Sequence, residues 1–106
     1  MDNDAKVEQD HHCFNSLCDN KGHHIAAVIL KKVLEERARQ DNLWGSQRQH
    51  SDAWWNVIAS EENGEVAREV YENNQPKLLT ELSQACAVYF AWAEAVYSRG
   101  TDQKNC

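Results

Sequence analysis

From Ala85 to Ala93 the chain reads Ala-Cys-Ala-Val-Tyr-Phe-Ala-Trp-Ala, nine residues without a charge inside a segment of helical composition. A run this short cannot span a bilayer, which needs about 20 apolar residues. A helix that is apolar all round has to be covered all round. The rest of a 106-residue chain offers only two further helices for that purpose. A second copy of the chain is therefore expected against this segment, as a homodimer or homotetramer. The competing arrangement sandwiches the helix between the other two.

Periodicity and punctuation set the remaining elements. Ile25, Ile29 and Val33, with Ala26, Leu30 and Leu34, recur at helical spacing, while Lys31, Lys32, Glu35, Glu36 and Arg39 mostly cover the other side. This predicts a first helix over about 25–41. Residues 42–51 break the pattern, and Ser51 or Asp52 can cap a second helix over about 52–73. Asn73-Asn74-Gln75-Pro76 is a turn, and Pro76 suits the first turn of a third helix over about 76–99, with Gly100 as its stop. No strand-like alternation is present. The fold class is all-α, an antiparallel helical bundle of three main helices completed by oligomerisation.

Residues 1–22 form a polar N-terminal tail, 23–100 the helical domain and 101–106 a frayed C-terminus. The tail is rich in possible metal ligands, with His11-His12-Cys13, Cys18 and His23-His24. A structural Zn²⁺ site would need four of them in tetrahedral array, and their order fits no zinc finger or ribbon, so incidental histidines are the preferred reading. The four cysteines, Cys13, Cys18, Cys86 and Cys106, could form two disulfides, but a cytosol keeps thiols reduced. Cys86, inside the apolar segment, reads as a small core residue.

The formal net charge is −6, from 17 acidic and 11 basic residues, with no basic stripe. DNA and RNA are excluded as partners on this ground. Neither a membrane span nor a signal peptide is legible, so a cytoplasmic location is expected. An acidic protein binds a phosphorylated ligand only with a cation between carboxylate and phosphate.

The second helix supplies the acids for such a cation. At 100° per residue, Glu62, Glu65 and Glu69 project within about 60° of one another, on the side that carries Trp54, Trp55, Ile58 and Val66. Acids among core-facing residues cost free energy unless something pairs with them. The third helix repeats the pattern more weakly, with Glu81 followed three residues later by Gln84. Carboxylates at i and i+3 on one helix, opposed by a second pair, can offer several oxygens to a hard cation such as Mg²⁺. The competing reading is an ordinary solvated acidic face, where Glu61, Glu72 and Glu94 also belong.

The spacing Glu61-Glu62-x-x-Glu65, followed by Glu81 heading an i, i+3 pair, resembles the signature of the MazG-like nucleoside triphosphate pyrophosphohydrolases, an all-α superfamily. The resemblance takes in Glu36-Arg37-Ala38-Arg39-Gln40-Asp41, Trp44-Gly45, the segment Trp54 to Ala67, Leu79 to Gln84, and Ala91-Trp92-Ala93-Glu94-Ala95. It spans roughly residues 26 to 99, making residues 23–100 a MazG-like domain of a short single-domain member. What it implies is a Mg²⁺-dependent enzyme, with Mn²⁺ as the alternative ion, that cleaves a (d)NTP to (d)NMP and pyrophosphate in nucleotide-pool housecleaning. Carried over, Glu62, Glu65 and Glu81 are metal ligands, and Glu61 orients or activates water beside Glu62. The family pattern places Asp where this chain has Gln84. An amide oxygen can still ligate Mg²⁺, but it brings no charge and is a poor base.

Arg37, Arg39 and Lys77 are candidates to hold the phosphates, Trp44 to stack on a base and His50 to reach the sugar or phosphates. Surface ion pairs explain the cations equally well, and Trp44 can simply pack the loop. The alternative function is a degenerate, non-catalytic helical module that binds metal or nucleotide, or acts only through its oligomer or partner interface.

Overall fold

The computed structural model describes residues 21–46 and 49–105, so the N-terminal ligand cluster from His11 to Cys18 and any zinc site built on it lie outside the described residues. Three helices make up almost all of it: α1 (Lys21–Trp44), α2 (Asp52–Glu72) and α3 (Gln75–Asn105). No strand occurs among the described residues, and no helix there is long and apolar enough to cross a membrane. The chain is all-α, as its pattern predicts.

The chain divides into two compact units, 1–32 and 33–106, with the boundary inside α1. In the first, Ile25 and Ala26 of the expected apolar stripe are exposed, while Ile29 and Leu30 are half-buried. In the second, α2 and α3 run antiparallel, joined by the turn at Asn73 and Asn74. The C-terminal half of α1 meets α3 through Arg37, paired with Glu94, and through Gln40, whose Nε2 donates to the Gln84 carbonyl at 3.4 Å. Val33 and Gln40, seven residues apart, are the buried positions of this half, whereas Leu34 is exposed.

Local chemistry fixes the boundaries. Ser51 caps α2, its Oγ accepting from the Trp54 N–H at 3.2 Å. Asn73 ends it in the left-handed region (φ 57°), a conformation that Asn tolerates well. Asn74 then caps α3, its Oδ1 accepting from the Lys77 N–H at 3.1 Å. Two ends differ from expectation. α1 continues past Asp41 to Trp44 because its terminator is Gly45, with φ 91°. α3 passes through Gly100 to Asn105, since a helical glycine costs only about 1 kcal/mol and does not by itself stop a helix.

The core of the second unit is Trp55, Ala59, Val88, Ala91 and Ala95, with Ile58 and Trp92 packed against it. Alanines on α3 let α2 approach closely enough to enclose the Trp55 indole. Burying an indole removes on the order of 200 Å² from water, worth about 5 kcal/mol. Only one face of the charge-free segment is consumed in this way. Tyr89 and Phe90 stay exposed, and so does Cys86, which is not the small core residue its surroundings suggested. Trp54 is likewise exposed while its neighbour Trp55 is buried, so the two tryptophans do not share a face.

Candidate metal centre

Glu62 and Glu65 stand one turn apart on α2, and Glu81 faces them from the first half of α3. One carboxylate oxygen from each lies within 4.8 Å of the other two. Oxygens opposed across an octahedral Mg²⁺ are separated by roughly 4.2 Å, so the set is nearly at ligand spacing. Glu81 is buried, and Glu62 and Glu65 are half-buried.

The electrostatics show a site short of positive charge. Burial raises the Glu62 pKa to about 7, helped by the charges of Glu65, Glu81 and Glu36 and opposed by Arg39. The Glu81 carboxyl is also pushed up, first by burial, then by its hydrogen bond with Glu65 and by the charges of Glu65 and Glu69, with Lys77 opposing. Glu62 Oε1 and Glu81 Oε1 are buried and have no hydrogen-bond partner. A native fold leaves few buried polar atoms unsatisfied. Three converging carboxylates, two of them with an unpartnered buried oxygen, fit a divalent cation such as Mg²⁺ in both number and chemistry.

Glu69, one turn beyond Glu65, is 1% exposed, the most buried acid described. Its Oε2 lies 3.7 Å from Arg68 Nε and 3.9 Å from Lys77 Nζ, while its Oε1 has no partner. Both cations are more than half exposed, so these long pairs compensate the buried charge poorly. Gln84 lies one turn after Glu81 and is half-buried; its backbone carbonyl is tied to Gln40.

Beside the carboxylates is a cavity of about 400 Å³, lined by Trp44, His50, Trp54, Ile58, Glu61, Glu62 and Val88. Glu62 belongs to both the cavity and the cluster, so the cavity opens onto the acids. Its walls are mainly aromatic and aliphatic, and Glu61 stands exposed at its edge. His50 meets Trp55 edge-on with centroids 4.9 Å apart, which anchors the loop after α1 to the core.

The structure thus gathers Glu61, Glu62, Trp44 and His50 at one cavity, with Glu65 and Glu81 next to it. The cations are dispersed. Arg39 is bound by Glu36 at 2.7 Å yet close enough to act on Glu62. Lys77 stands at the Glu69 end of the cluster. Arg37 lies elsewhere: it pairs with Asp41 at 2.8 Å and with Glu94, and lines a different cavity of about 500 Å³ with Trp55, Ala91, Ala95 and Ser98.

One acid of the site escapes a reading by composition. Glu36, placed on the solvent side by its charged neighbours, has a side chain only 15% exposed and acts on Glu62. The signal was the interval between Val33 and Gln40, which puts Glu36 near the middle of the buried stripe. Glu69, expected on the Glu62 face from its spacing, is buried there but falls outside the motif that selected the ligands. Compared with known proteins, the chain matches no family model, no curated protein and no solved structure.

Proposed function

We propose that this chain is a Mg²⁺-dependent nucleoside triphosphate pyrophosphohydrolase of MazG-like type, acting in the cytoplasm on (d)NTPs, with Mn²⁺ as an alternative ion. The observation that carries the reading is the convergence of Glu62, Glu65 and Glu81, two of them with a buried, unpartnered oxygen, beside an aromatic cavity that Glu62 itself lines. A cluster of acids alone would bind a cation. The adjoining cavity gives it a substrate class, because a flat apolar base and an anionic phosphate chain match the two halves of the site.

Glu62, Glu65 and Glu81 would hold the cation, with Gln84 offering an amide oxygen one turn along α3. When bound, Mg²⁺ supplies neutralisation of the phosphates and activation of water. Trp44 and Trp54 flank the space for the base, and His50 stands within the same cavity to meet the sugar or phosphate. Arg39 and Lys77 border the acids from either side and contribute positive charge toward the phosphate chain. Glu61, exposed at the cavity edge, accepts the proton of the attacking water. Water adds to the α-phosphorus, the bond from that phosphorus to the α–β bridging oxygen breaks, and the products are the monophosphate and pyrophosphate. Arg37 has no part in this scheme, since its guanidinium is held by Asp41 and Glu94 at the other cavity.

A second reading rests on Gln84, which stands where the resembled family carries Asp. With one charge fewer, the chain could bind metal and nucleotide without turnover. One experiment separates the two: pyrophosphate release from a panel of NTPs and dNTPs with Mg²⁺, run beside calorimetric Mg²⁺ binding. Release abolished by Glu62→Gln is the expected result. Binding without release from any nucleotide selects the non-catalytic module, and absence of Mg²⁺ binding removes both readings.

A further inference from the structure

The cavity lined by Arg37 is a second concave site, of about 500 Å³, a size usual for small-molecule sites. It shares no described lining residue with the cavity beside the acids. Trp55 lines the one and His50 the other, and the edge-on contact of these two rings is where the cavities come closest to a common wall. Their chemistry is opposite. The first is walled by aromatic and aliphatic groups, the second mainly by polar ones: Arg37, Asp41, Ser46, Gln49, Glu94 and Ser98. Ala91 and Ala95 of α3 supply its apolar patch.

The charges of this lining are engaged with one another. The Arg37 guanidinium donates one N–H to Asp41 at 2.8 Å and another to Glu94. Each carboxylate uses one oxygen in that pairing, which leaves its second oxygen to a ligand. An anion would meet two carboxylates and a guanidinium already neutralised. A cation would compete with Arg37 for the same acceptors. An uncharged ligand meets neither obstacle. To such a ligand the walls present mostly acceptors: the two remaining carboxylate oxygens, and the hydroxyls of Ser46 and Ser98, which accept as well as donate. The complement is a molecule with several O–H donors and an apolar face for the alanines. Carboxylates take sugar hydroxyls in this way where they hold a ribose.

We infer that this cavity binds an uncharged sugar, a mono- or disaccharide, with its hydroxyls on Asp41, Glu94, Ser46 and Ser98 and its C–H face against Ala91 and Ala95. Arg37 fixes both carboxylates before the sugar arrives, so little side-chain freedom is lost on binding. Glu62, Glu65 and Glu81 take no part, and the site stands whether or not the chain hydrolyses nucleotides.

Amide NMR spectra of the full chain, titrated with D-glucose, D-ribose and maltose, test this. At least one sugar should give saturable shifts centred on the amides of Ser46, Gln49 and Ser98 and on the Nε–H of Arg37, which is buried and has no other partner to report on. Putrescine and inorganic phosphate, as charged probes at the same concentrations, should not. Ser98→Leu, at an exposed helical position, should weaken sugar binding about tenfold or more with the helical circular dichroism retained. Glu62→Gln should leave sugar binding unchanged. Absence of saturable shifts with all three sugars overturns the proposal. So do shifts that survive Ser98→Leu, and so does a stronger response to putrescine or phosphate, which would assign the cavity to a charged ligand.

Discussion

Between Asp52 and Ala59, α2 meets α3 through Trp55 and Ala59 set against Val88, Ala91 and Ala95. Asp52 at that end accepts from Arg99 at 2.6 Å and from Trp92 Nε1 at 3.0 Å, which holds its carboxyl below the ordinary range. Further along, the same helices meet through Glu62 and Glu81, whose Oε1 atoms are buried without a hydrogen-bond partner and whose pKa values are raised. One half of the helix pair is a packed core, and the other half works against it. The repulsion persists because the tryptophan end holds the helices at a fixed separation. A site for a cation can be built only where the surrounding structure bears the cost of its absence.

That contrast can be broken most forcefully at its packed end. Trp55→Ala should cost about 3–5 kcal/mol, read from urea denaturation, and should also weaken Mg²⁺ binding because the acids lose their fixed spacing. An equal loss at the two ends would show that they are not divided as described. Next in size is the cation itself. At a hundredfold excess over its dissociation constant, Mg²⁺ should stabilise the fold by about 2.7 kcal/mol, against no specific gain from NaCl of equal ionic strength. Glu62→Gln combined with Glu81→Gln should erase that gain.

A third test uses pH without metal. A carboxyl raised from 4.5 to about 7 on folding keeps its proton longer in the native state. The native state should therefore be most stable below pH 4.5 as far as Glu62 is concerned, lose stability as pH rises toward 7, and level off above it. Glu62→Gln should flatten this slope and stabilise the metal-free protein at pH 8 by on the order of 1 kcal/mol, allowing for its partial exposure. A metal-free variant less stable than the wild type at pH 8 would refute the repulsion. The smallest effect falls outside both ends: Gly100 lies in α3 with open space where a Cβ would stand, so Gly100→Ala should add about 0.5–1 kcal/mol and leave Mg²⁺ binding unchanged.

The helices and the acid cluster were legible because both depend on short intervals. Three steps separate Glu62 from Glu65, and Asn73 to Pro76 marks a tight reversal, which returns Glu81 to the level of Glu65. What a linear pattern does not carry is which flank of a helix meets which neighbour. Trp54 and Trp55 are equally apolar, and only the approach of α3 decides that the second is buried. Cys86 sits among core-type residues, yet its flank faces away from α2. Glu36 and Arg37 are adjacent charges on α1. One adjoins the acid cluster and the other lines a separate cavity, a division set by tertiary packing.

The turn at Asn73 and Asn74 has a consequence in time as well as in space. Only sixteen residues separate Glu65 from Glu81, and both flanking helix ends are closed locally, by Asn73 in its left-handed conformation and by the Asn74 side chain. The acid cluster is therefore a low-contact-order feature, assembled by a helical hairpin with little loop entropy to overcome. Mutual repulsion of the acids opposes that hairpin as soon as it begins to close. Divalent cations present during folding should thus accelerate the folding step, beyond any slowing of unfolding, and make this hairpin a nucleus whose strength is set by the ionic composition of its surroundings.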